Sequence, residues 1–304
     1  MEFYSLTVQN IQKLTAKSTK IDFSIPAELK NIFTWKAGQF LSFKFEIDNT
    51  PVVREYSVCT APHEGFLSIA VKETARPFVS KYVQENVKIG DKLPVSAPLG
   101  NFGIPSRPNE KRTLAAFSAG SGITPVMSIL KDTLHKEKDV NFYLFYGNAD
   151  ENDVMFKAEL EEFRQKYPQN FHLYNFYSEQ ETDDNFFEGL LNEHKVELII
   201  NQIVDWDEVD EVLICGPKEM IVNLANAVYH NGIPKKHIHY ELYEPIDQIF
   251  QNDEKEKSVV KEVEVTFTYE DENHTFTWKN NGSSLLEALL EKGFDVPYSC
   301  KGGV

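Results

Sequence analysis

Cysteine is scarce in this chain: Cys59, Cys215 and Cys300 stand far apart among 304 residues. There is no C-x-x-C pair and no even set, so the sequence carries no disulfide framework. A reducing, cytoplasmic setting is the default expectation. Long apolar runs are also missing, and no stretch has the length a bilayer span needs. Residues 1–14 lack a basic region followed by an apolar core, so a signal peptide is not expected. Positive charge is in deficit: 31 Lys and Arg stand against 47 Asp and Glu, a formal net charge of −16. That balance argues against nucleic acid or an anionic membrane as partner, and its plainest effect is solubility. The remainder is ordinary for a globular protein, with 41% hydrophobic and 26% charged residues. A chain of this length makes two domains, with room for part of a third.

Residues 1–106 read as β-rich. Short runs at 4–8, 19–23, 40–45, 55–58, 66–71 and 92–95 alternate partially, and Pro26, Gly38, Asn49, Pro62, Gly65, Gly90 and Pro98 punctuate them. One helix, near 79–86, interrupts them. Many short strands with a single helix predict a small closed barrel. Residues 107–245 change pattern. Strand-like runs at 114–117, 141–146, 171–176 and 211–214 alternate with helical stretches at 125–135, 154–166 and 218–231. In the second of these helices Met155, Phe156, Glu159, Leu160 and Phe163 recur at helical spacing. Alternating strands and helices predict a parallel sheet with right-handed crossovers. Ligands of such sheets bind beyond the carboxyl ends of the strands. Gly120, Gly147 and Gly216 each follow a strand and would meet at that edge.

Residues 246–261 are charged and aperiodic, and read as a linker. Residues 262–304 begin with an expected hairpin, 263–269 and 274–278. A helix follows at 284–292, with Leu285, Leu286, Leu289 and Leu290 apolar and Gly293 as its C-cap. One hairpin and one helix bury little core, so this part reads as an incomplete domain.

The stretch that organises the chain is 114–130, a short apolar run, a turn with Gly120, Ser121 and Gly122, then a helix. Thr124 is placed to cap that helix, and Pro125 suits its first position because its missing N–H would be unpaired there. A buried strand, a glycine turn and a helix N-terminus make an anion site, and a nucleotide pyrophosphate is the expected ligand. Pro125 stands where the G-x-G-x-x-G dinucleotide fingerprint has its third glycine. Upstream, Arg54-Glu55-Tyr56-Ser57 lies on a strand, where alternation puts Arg54 and Tyr56 on one face and Ser57 on the other. Val71 and Lys72 end another strand, and Val79 and Ser80 open the lone helix, a second potential anion site. Downstream come Tyr146-Gly147-Asn148 and Cys215-Gly216-Pro217, with Met220 close behind. Taken alone, Cys215 reads as a small buried residue at a strand end.

In this order the motifs R-x-Y-S, a helix-start Ser, P-x-G-x-F, G-S-G-I-T-P, Y-G-N and C-G-P resemble the ferredoxin-NADP reductase superfamily over residues 1–245. The resemblance implies a β-barrel FAD domain followed by an α/β parallel-sheet nucleotide domain. It implies that Arg54 and Ser80 hold the FAD pyrophosphate, that Tyr56 packs on the isoalloxazine, and that Ser57 bonds near the reactive flavin nitrogen. Val71, Lys72 and Val79 complete the FAD set. Gly120, Ser121, Gly122, Thr124, Pro125, Tyr146, Gly147, Asn148, Cys215, Gly216, Pro217 and Met220 would receive NADH or NADPH, with Cys215 beside the nicotinamide. Glu241-Leu242-Tyr243 is similar to the acid-x-aromatic end of plant-type reductases, in which Tyr243 would cover the flavin and Glu241 sit by the nicotinamide. A strand end leading into the linker is the other reading of those residues. Ser57, Cys215 and Glu241 would adjust the approach of nicotinamide to flavin.

Two local departures shape the expectations. Many relatives carry Gly-Gly where this chain has Arg76-Pro77, and Pro77 has no N–H to give. After Asn148 the chain has Ala149-Asp150-Glu151, where relatives that use NADPH often place an Arg for the 2′-phosphate. Two carboxylates there would repel a phosphate, which predicts a preference for NADH. At the C-terminus, residues 295–304 look like the start of a plant-type [2Fe–2S] loop, part of an incomplete β-grasp ferredoxin-like fragment. Cys300 would be the first cluster ligand, the second falls due just after Val304, and the chain as written cannot complete the cluster. The whole layout resembles oxygenase reductases of the phenylacetyl-CoA epoxidase type. It implies an oxygenase component or another protein as electron acceptor. Two alternatives stay open: a stand-alone ferredoxin or flavodoxin reductase, and a non-catalytic flavoprotein module that regulates a partner.

Overall fold

The computed structural model describes residues 1–73, 77–242, 249–250, 262–269, 272–279 and 285–294. Arg76, Tyr243 and Cys300, and all of the expected linker except residues 249–250, lie outside them. The chain divides into two compact units, Met1–Leu242 and Tyr243–Val304. Among the described residues no helix is long and apolar enough to cross a membrane.

The first unit opens with a six-stranded antiparallel sheet: β1 (Phe3–Thr15), β2 (Ser18–Ser24), β3 (Phe40–Ile47), β4 (Thr50–Ser57), β5 (Leu67–Lys72) and β6 (Lys92–Ser96). Their order is β4-β3-β6-β1-β2-β5. The edges close where Val58 bridges Ile69 and the Cys59 N–H donates to the Ser68 carbonyl at 2.9 Å. Alternation explains the interior: Phe43, Phe45 and Ile47 on β3 point inward and join Leu6, Val8, Ile21 and Phe23 in one buried cluster. Each such side chain contributes roughly 1.5–3 kcal/mol through burial. The helix α1 (Phe78–Asn86) buries Val79 and Val83 against this core.

The second half of the unit is a parallel sheet of β7 (Arg112–Ala119), β8 (Val140–Asn148), β9 (Phe171–Tyr177), β10 (Val209–Cys215) and β11 (Ile238–Glu241). Its order is β11-β10-β7-β8-β9. The strand order reverses between β7 and β10, and such a switch opens a crevice at the carboxyl ends of the two strands. The helices are α2 (Ile123–Lys136), α3 (Lys157–Lys166), α4 (Glu193–Gln202) and α5 (Lys218–His230). Sequence patterning anticipates neither α4 nor the four-residue β11, and it shortens β1 by eight residues (13 observed, 5 expected). It also begins α3 too early. Phe156 takes a left-handed conformation (φ 58°) just before the helix, so Met155 and Phe156 are buried in the lead-in turn.

Polar contacts join barrel to sheet. The Thr60 carbonyl accepts from Trp35 Nε1 at 3.0 Å and from Ser128 Oγ of α2 at 2.7 Å. Lys131 of α2 is buried between Glu159 Oε1 (2.6 Å) and Glu64 Oε2 (3.5 Å). Burial opposes its charge, but Glu159 and Glu64, with the Cys59 thiol, carry its pKa above the usual value.

In the second unit β12 (Glu262–Tyr269) and β13 (Glu272–Lys279) form an antiparallel hairpin, and α6 (Leu285–Glu291) follows. Gly293 closes α6 with φ 87°, its N–H donating to the Leu290 carbonyl at 3.0 Å. Phe294 packs edge-on against Phe267 at 4.9 Å between ring centres.

The most demanding polar contact in the fold is Arg112–Glu137, with both side chains 1% exposed. Arg112 Nη2 and Nε donate to Glu137 Oε1 and Oε2 at 2.6 and 2.7 Å. Replacing Arg112 by Leu leaves a buried carboxylate without its cation, at an expected cost of about 3–5 kcal/mol. Urea unfolding should show this as a lower midpoint at constant slope. Arg112→Leu combined with Glu137→Leu should recover most of the loss. A single variant within about 1 kcal/mol of wild type would contradict this assignment.

Candidate active site

The turn after β7 is shaped by the backbone beside it. β7 and β10 pair with Ser118 opposite Cys215. A Cβ on Gly122 would lie 2.1 Å from the Cys215 carbonyl oxygen and 2.8 Å from the Gly216 nitrogen, so no side chain fits. Gly120 adopts φ 53°, and its carbonyl accepts from the Tyr146 hydroxyl at 3.0 Å. The expected cap is different from the one found. A 3₁₀ turn, Gly120–Gly122, leads directly into α2, so Thr124 is the second helical residue and Pro125 the third. Thr124 Oγ1 donates back to the Ser121 carbonyl at 2.9 Å. Pro125 still sits in the first turn, where a missing N–H costs nothing. No side chain caps α2, and the Ile123 N–H donates to the Gly120 and Ser121 carbonyls, so the glycine turn runs continuously into the helix.

Gly147 also differs from expectation. It does not begin a turn but lies inside β8, which continues to Asn148. Tyr146 and Asn148 are buried there, and burial pushes the Tyr146 hydroxyl pKa up. Beyond β10, Gly216 packs under Met220 and Pro217 precedes α5.

The barrel contributes the facing wall. Ser57 and Cys215 are buried, and so is Glu241, the last residue of β11. Ser57 Oγ donates to Glu241 Oε2 at 3.5 Å, and Glu241 pairs in register with Cys215. Burial raises the Glu241 carboxyl to about 8, the nearby Glu55 charge adds to the rise, and the Ser57 hydrogen bond opposes it. Tyr56 lies on the other strand face, edge-on to Phe43 at 5.8 Å. Burial raises its hydroxyl to about 12, and Arg54 pulls slightly the other way. Arg54 itself is exposed and its Nη1 donates to the Val53 carbonyl at 2.7 Å.

Val71 is buried at the end of β5 and Lys72 follows it, 3.7 Å from Asp153. Val79 and Ser80 are buried in the first turn of α1, which has Pro77 (φ −84°) at its N-cap position and no side-chain cap. The structure thus gathers Ser57, Cys215 and Glu241 at one place, and Gly120, Gly122, Tyr146 and Lys72 at another beside it. Arg54 stands apart. Sequence reasoning passes over Glu55 and Asp153. Strand alternation could have found Glu55, which shares the face of Ser57. Asp153 reaches Lys72 only through the tertiary fold.

A barrel wall opposite a switch-point turn defines a two-nucleotide oxidoreductase, and the comparisons agree. The oxidoreductase FAD-binding domain family matches residues 5–104, and the oxidoreductase NAD-binding domain family matches residues 117–225. The chain is 31% identical over 303 residues to a subunit of the 1,2-phenylacetyl-CoA epoxidase of Escherichia coli K12, covering 99% of this chain and 84% of that protein. It is 29% identical over 305 residues to the ferredoxin reductase component of 3-ketosteroid-9-alpha-monooxygenase from Rhodococcus rhodochrous, covering 98% and 82%. The fold is shared with the FAD/NAD-binding domain of nitric oxide dioxygenase from Vibrio cholerae, with a TM-score of 0.69, 24% identity, and coverage of 81% and 100%. The chain belongs to the ferredoxin-NADP reductase family. It is an NAD(P)H-dependent flavin reductase, and reductase components of oxygenases are among its relatives.

The residues fit an FAD. The uncapped first turn of α1 presents N–H groups to a pyrophosphate, the half-buried Tyr56 ring offers a stacking surface, and Ser57 supplies a polar contact at the wall. Glu241 makes a testable electrostatic claim. Its folded-state value of about 8 stands above the ordinary 4.5. The folded state therefore holds this proton more tightly than the unfolded chain. The stabilisation is full below about pH 4.5 and is lost as pH rises through about 8. Glu241→Gln stays neutral throughout, so urea unfolding from pH 5 to 8 should show it gaining on wild type as pH rises. A constant difference over that range would contradict the assignment.

Proposed function

We propose that this chain takes hydride from NADH at a barrel-bound FAD and delivers electrons to an oxygenase component, with a phenylacetyl-CoA epoxidase as the favoured acceptor. The supporting observation is the meeting of Ser57, Cys215 and Glu241 between the barrel and the switch-point turn. FAD supplies the hydride acceptance and the single-electron release. The protein's part is placement. Tyr56, Arg54 and Ser80 hold FAD with Val71, Lys72 and Val79, and residues 120–125, 146–148 and 215–217 with Met220 seat the nicotinamide nucleotide. Ser57 and Glu241 form a hydrogen-bonded wall beside Cys215 that excludes water from the reacting faces. In this reading residues 1–106 are the FAD domain, 107–245 the nucleotide domain, 246–261 the linker and 262–304 part of a ferredoxin domain, with Cys300 as a [2Fe–2S] ligand and Tyr243 over the flavin. Cytoplasmic placement accords with the buried thiol of Cys59. The similarity to the epoxidase component along nearly the whole chain, second unit included, favours an oxygenase reductase over a stand-alone ferredoxin reductase.

Coenzyme choice follows from the loop after β8. Asp150 Oδ1 accepts from the Asn152 and Asp153 N–H groups at 2.7 and 3.2 Å. Lys157 Nζ, 3.5 Å from Glu151 Oε2, is a neighbouring cation, and Glu151 neutralises it. NADH should bleach the flavin absorbance of FAD-loaded protein in anaerobic mixing, well ahead of NADPH. Absorbance that NADH leaves intact would favour the regulatory flavoprotein instead. Glu151→Gln frees Lys157 and should raise kcat/KM for NADPH by about threefold to tenfold while leaving NADH turnover nearly unchanged. A wild-type preference for NADPH would overturn the coenzyme assignment.

A further inference from the structure

The barrel carries a groove that neither nucleotide set uses. It encloses about 360 Å³, at the small end of the range for small-molecule sites. Its floor is aromatic: Phe23, Phe33 and Trp35 line it and are buried. Pro62 and the exposed Phe66, from the segment between β4 and β5, also line it. Phe66 immediately precedes β5, whereas Val71 and Lys72 of the FAD set end that strand. Groove and flavin therefore lie toward opposite ends of β5. No residue lining the groove belongs to the proposed FAD or nucleotide set.

Floor and rim are both held in place. Trp35 Nε1 donates to the Thr60 carbonyl at 3.0 Å, which satisfies the indole and fixes its ring before any ligand arrives. At the rim, Lys30 follows the short turn Ala27–Leu29. The Phe33 N–H donates to the Leu29 carbonyl at 3.0 Å, and Thr34 Oγ1 donates to the Lys30 carbonyl at 3.2 Å. Lys30 is the only charged residue among those lining the groove, and it is a cation in a chain of net charge −16. Lys20 lies 5.4 Å from the centre of the Phe66 ring, but Asp22 Oδ1 pairs with it at 3.5 Å. Among the described residues no carboxylate pairs with Lys30. We propose that this groove binds a small aromatic carboxylate, its ring on the aromatic floor and its carboxylate on the Lys30 ammonium. Edge-on or offset contacts with the three rings favour an aromatic body over an aliphatic one. The ammonium selects an anion and rejects an aromatic cation.

Three probes separate the two halves of the site by calorimetry on the FAD-loaded full chain: 3-phenylpropanoate, its neutral analogue 3-phenylpropan-1-ol, and hexanoate, which has no ring. The aromatic acid should bind saturably with a Kd of about 1 mM or tighter. The alcohol and hexanoate should each bind at least about threefold more weakly. Lys30→Met should weaken the aromatic acid about threefold to tenfold and leave the alcohol unchanged, whereas Lys30→Arg should retain the acid. Phe66→Ala should weaken acid and alcohol alike, by about twofold to fivefold. Saturating NAD+ should leave the Kd of the acid unchanged, and NADH should bleach the flavin of Lys30→Met and Phe66→Ala at the wild-type rate. Absence of saturable binding by the aromatic acid overturns the proposal. An acid affinity that Lys30→Met leaves intact, or that Lys30→Arg loses as fully as Lys30→Met, overturns the ion pair and the ligand class with it. Competition between the acid and NAD+ places the acid in the nucleotide seat and overturns the groove as its site.

Discussion

Backbone lies against backbone where the Gly122 turn meets the end of β10, and the rest of the site depends on that approach. The 2.1 Å between a Cβ at Gly122 and the Cys215 oxygen leaves no room for any side chain. Because the two segments touch, the N-terminus of α2 opens over the gap between β7 and β10, where the strand order reverses. The far side of the same helix carries Ser128 and Lys131, which reach Thr60 and Glu64 of the barrel segment. One helix thus begins at the crevice and anchors the barrel segment that faces it. The glycine turn fixes the helix position, and the helix fixes the barrel relative to the sheet.

The barrel wall opposite is a small polar island in an apolar setting. Glu241 ends an edge strand of four residues, buried beside Ser57 and near Glu55. A carboxyl in such surroundings keeps its proton at neutral pH because water cannot solvate the anion. A protonated Glu241 can donate a hydrogen bond toward whatever occupies the crevice, whereas Ser57 occupies one of its oxygens. The other carboxylate at this junction, Asp153, pairs with Lys72 at 3.7 Å.

The fold was legible in the sequence where periodicity is strong. The six barrel strands, β7 to β10 and the hairpin of the second unit follow from alternation and turn residues. The four-residue β11 is too short to announce itself, and α4 has a weak apolar face among polar neighbours. Phe156 shows the limit of propensity: its helical spacing with Leu160 is genuine, but the chain turns left-handed there to bury it. Thr124 looks like a cap because Ser/Thr followed by Pro usually is one, yet the glycines let the helical path begin at Gly120, five residues before Pro125. Of the site, the ordered motifs marked Ser57, Gly122 and Cys215. They were silent on Glu55 and Asp153, whose significance comes from partners 186 residues (Glu241) and 81 residues (Lys72) away along the chain.

On the proposed reading the nicotinamide ring rests against the flavin beside Cys215, next to the Gly122 turn. The most direct measurement is the long-wavelength charge-transfer absorbance of FAD-loaded protein on anaerobic mixing with NADH, in wild type and in Gly122→Val. The predicted result is a band that forms in wild type and is lost in the variant while bound FAD is retained. A variant that keeps the band at full amplitude would contradict the claim.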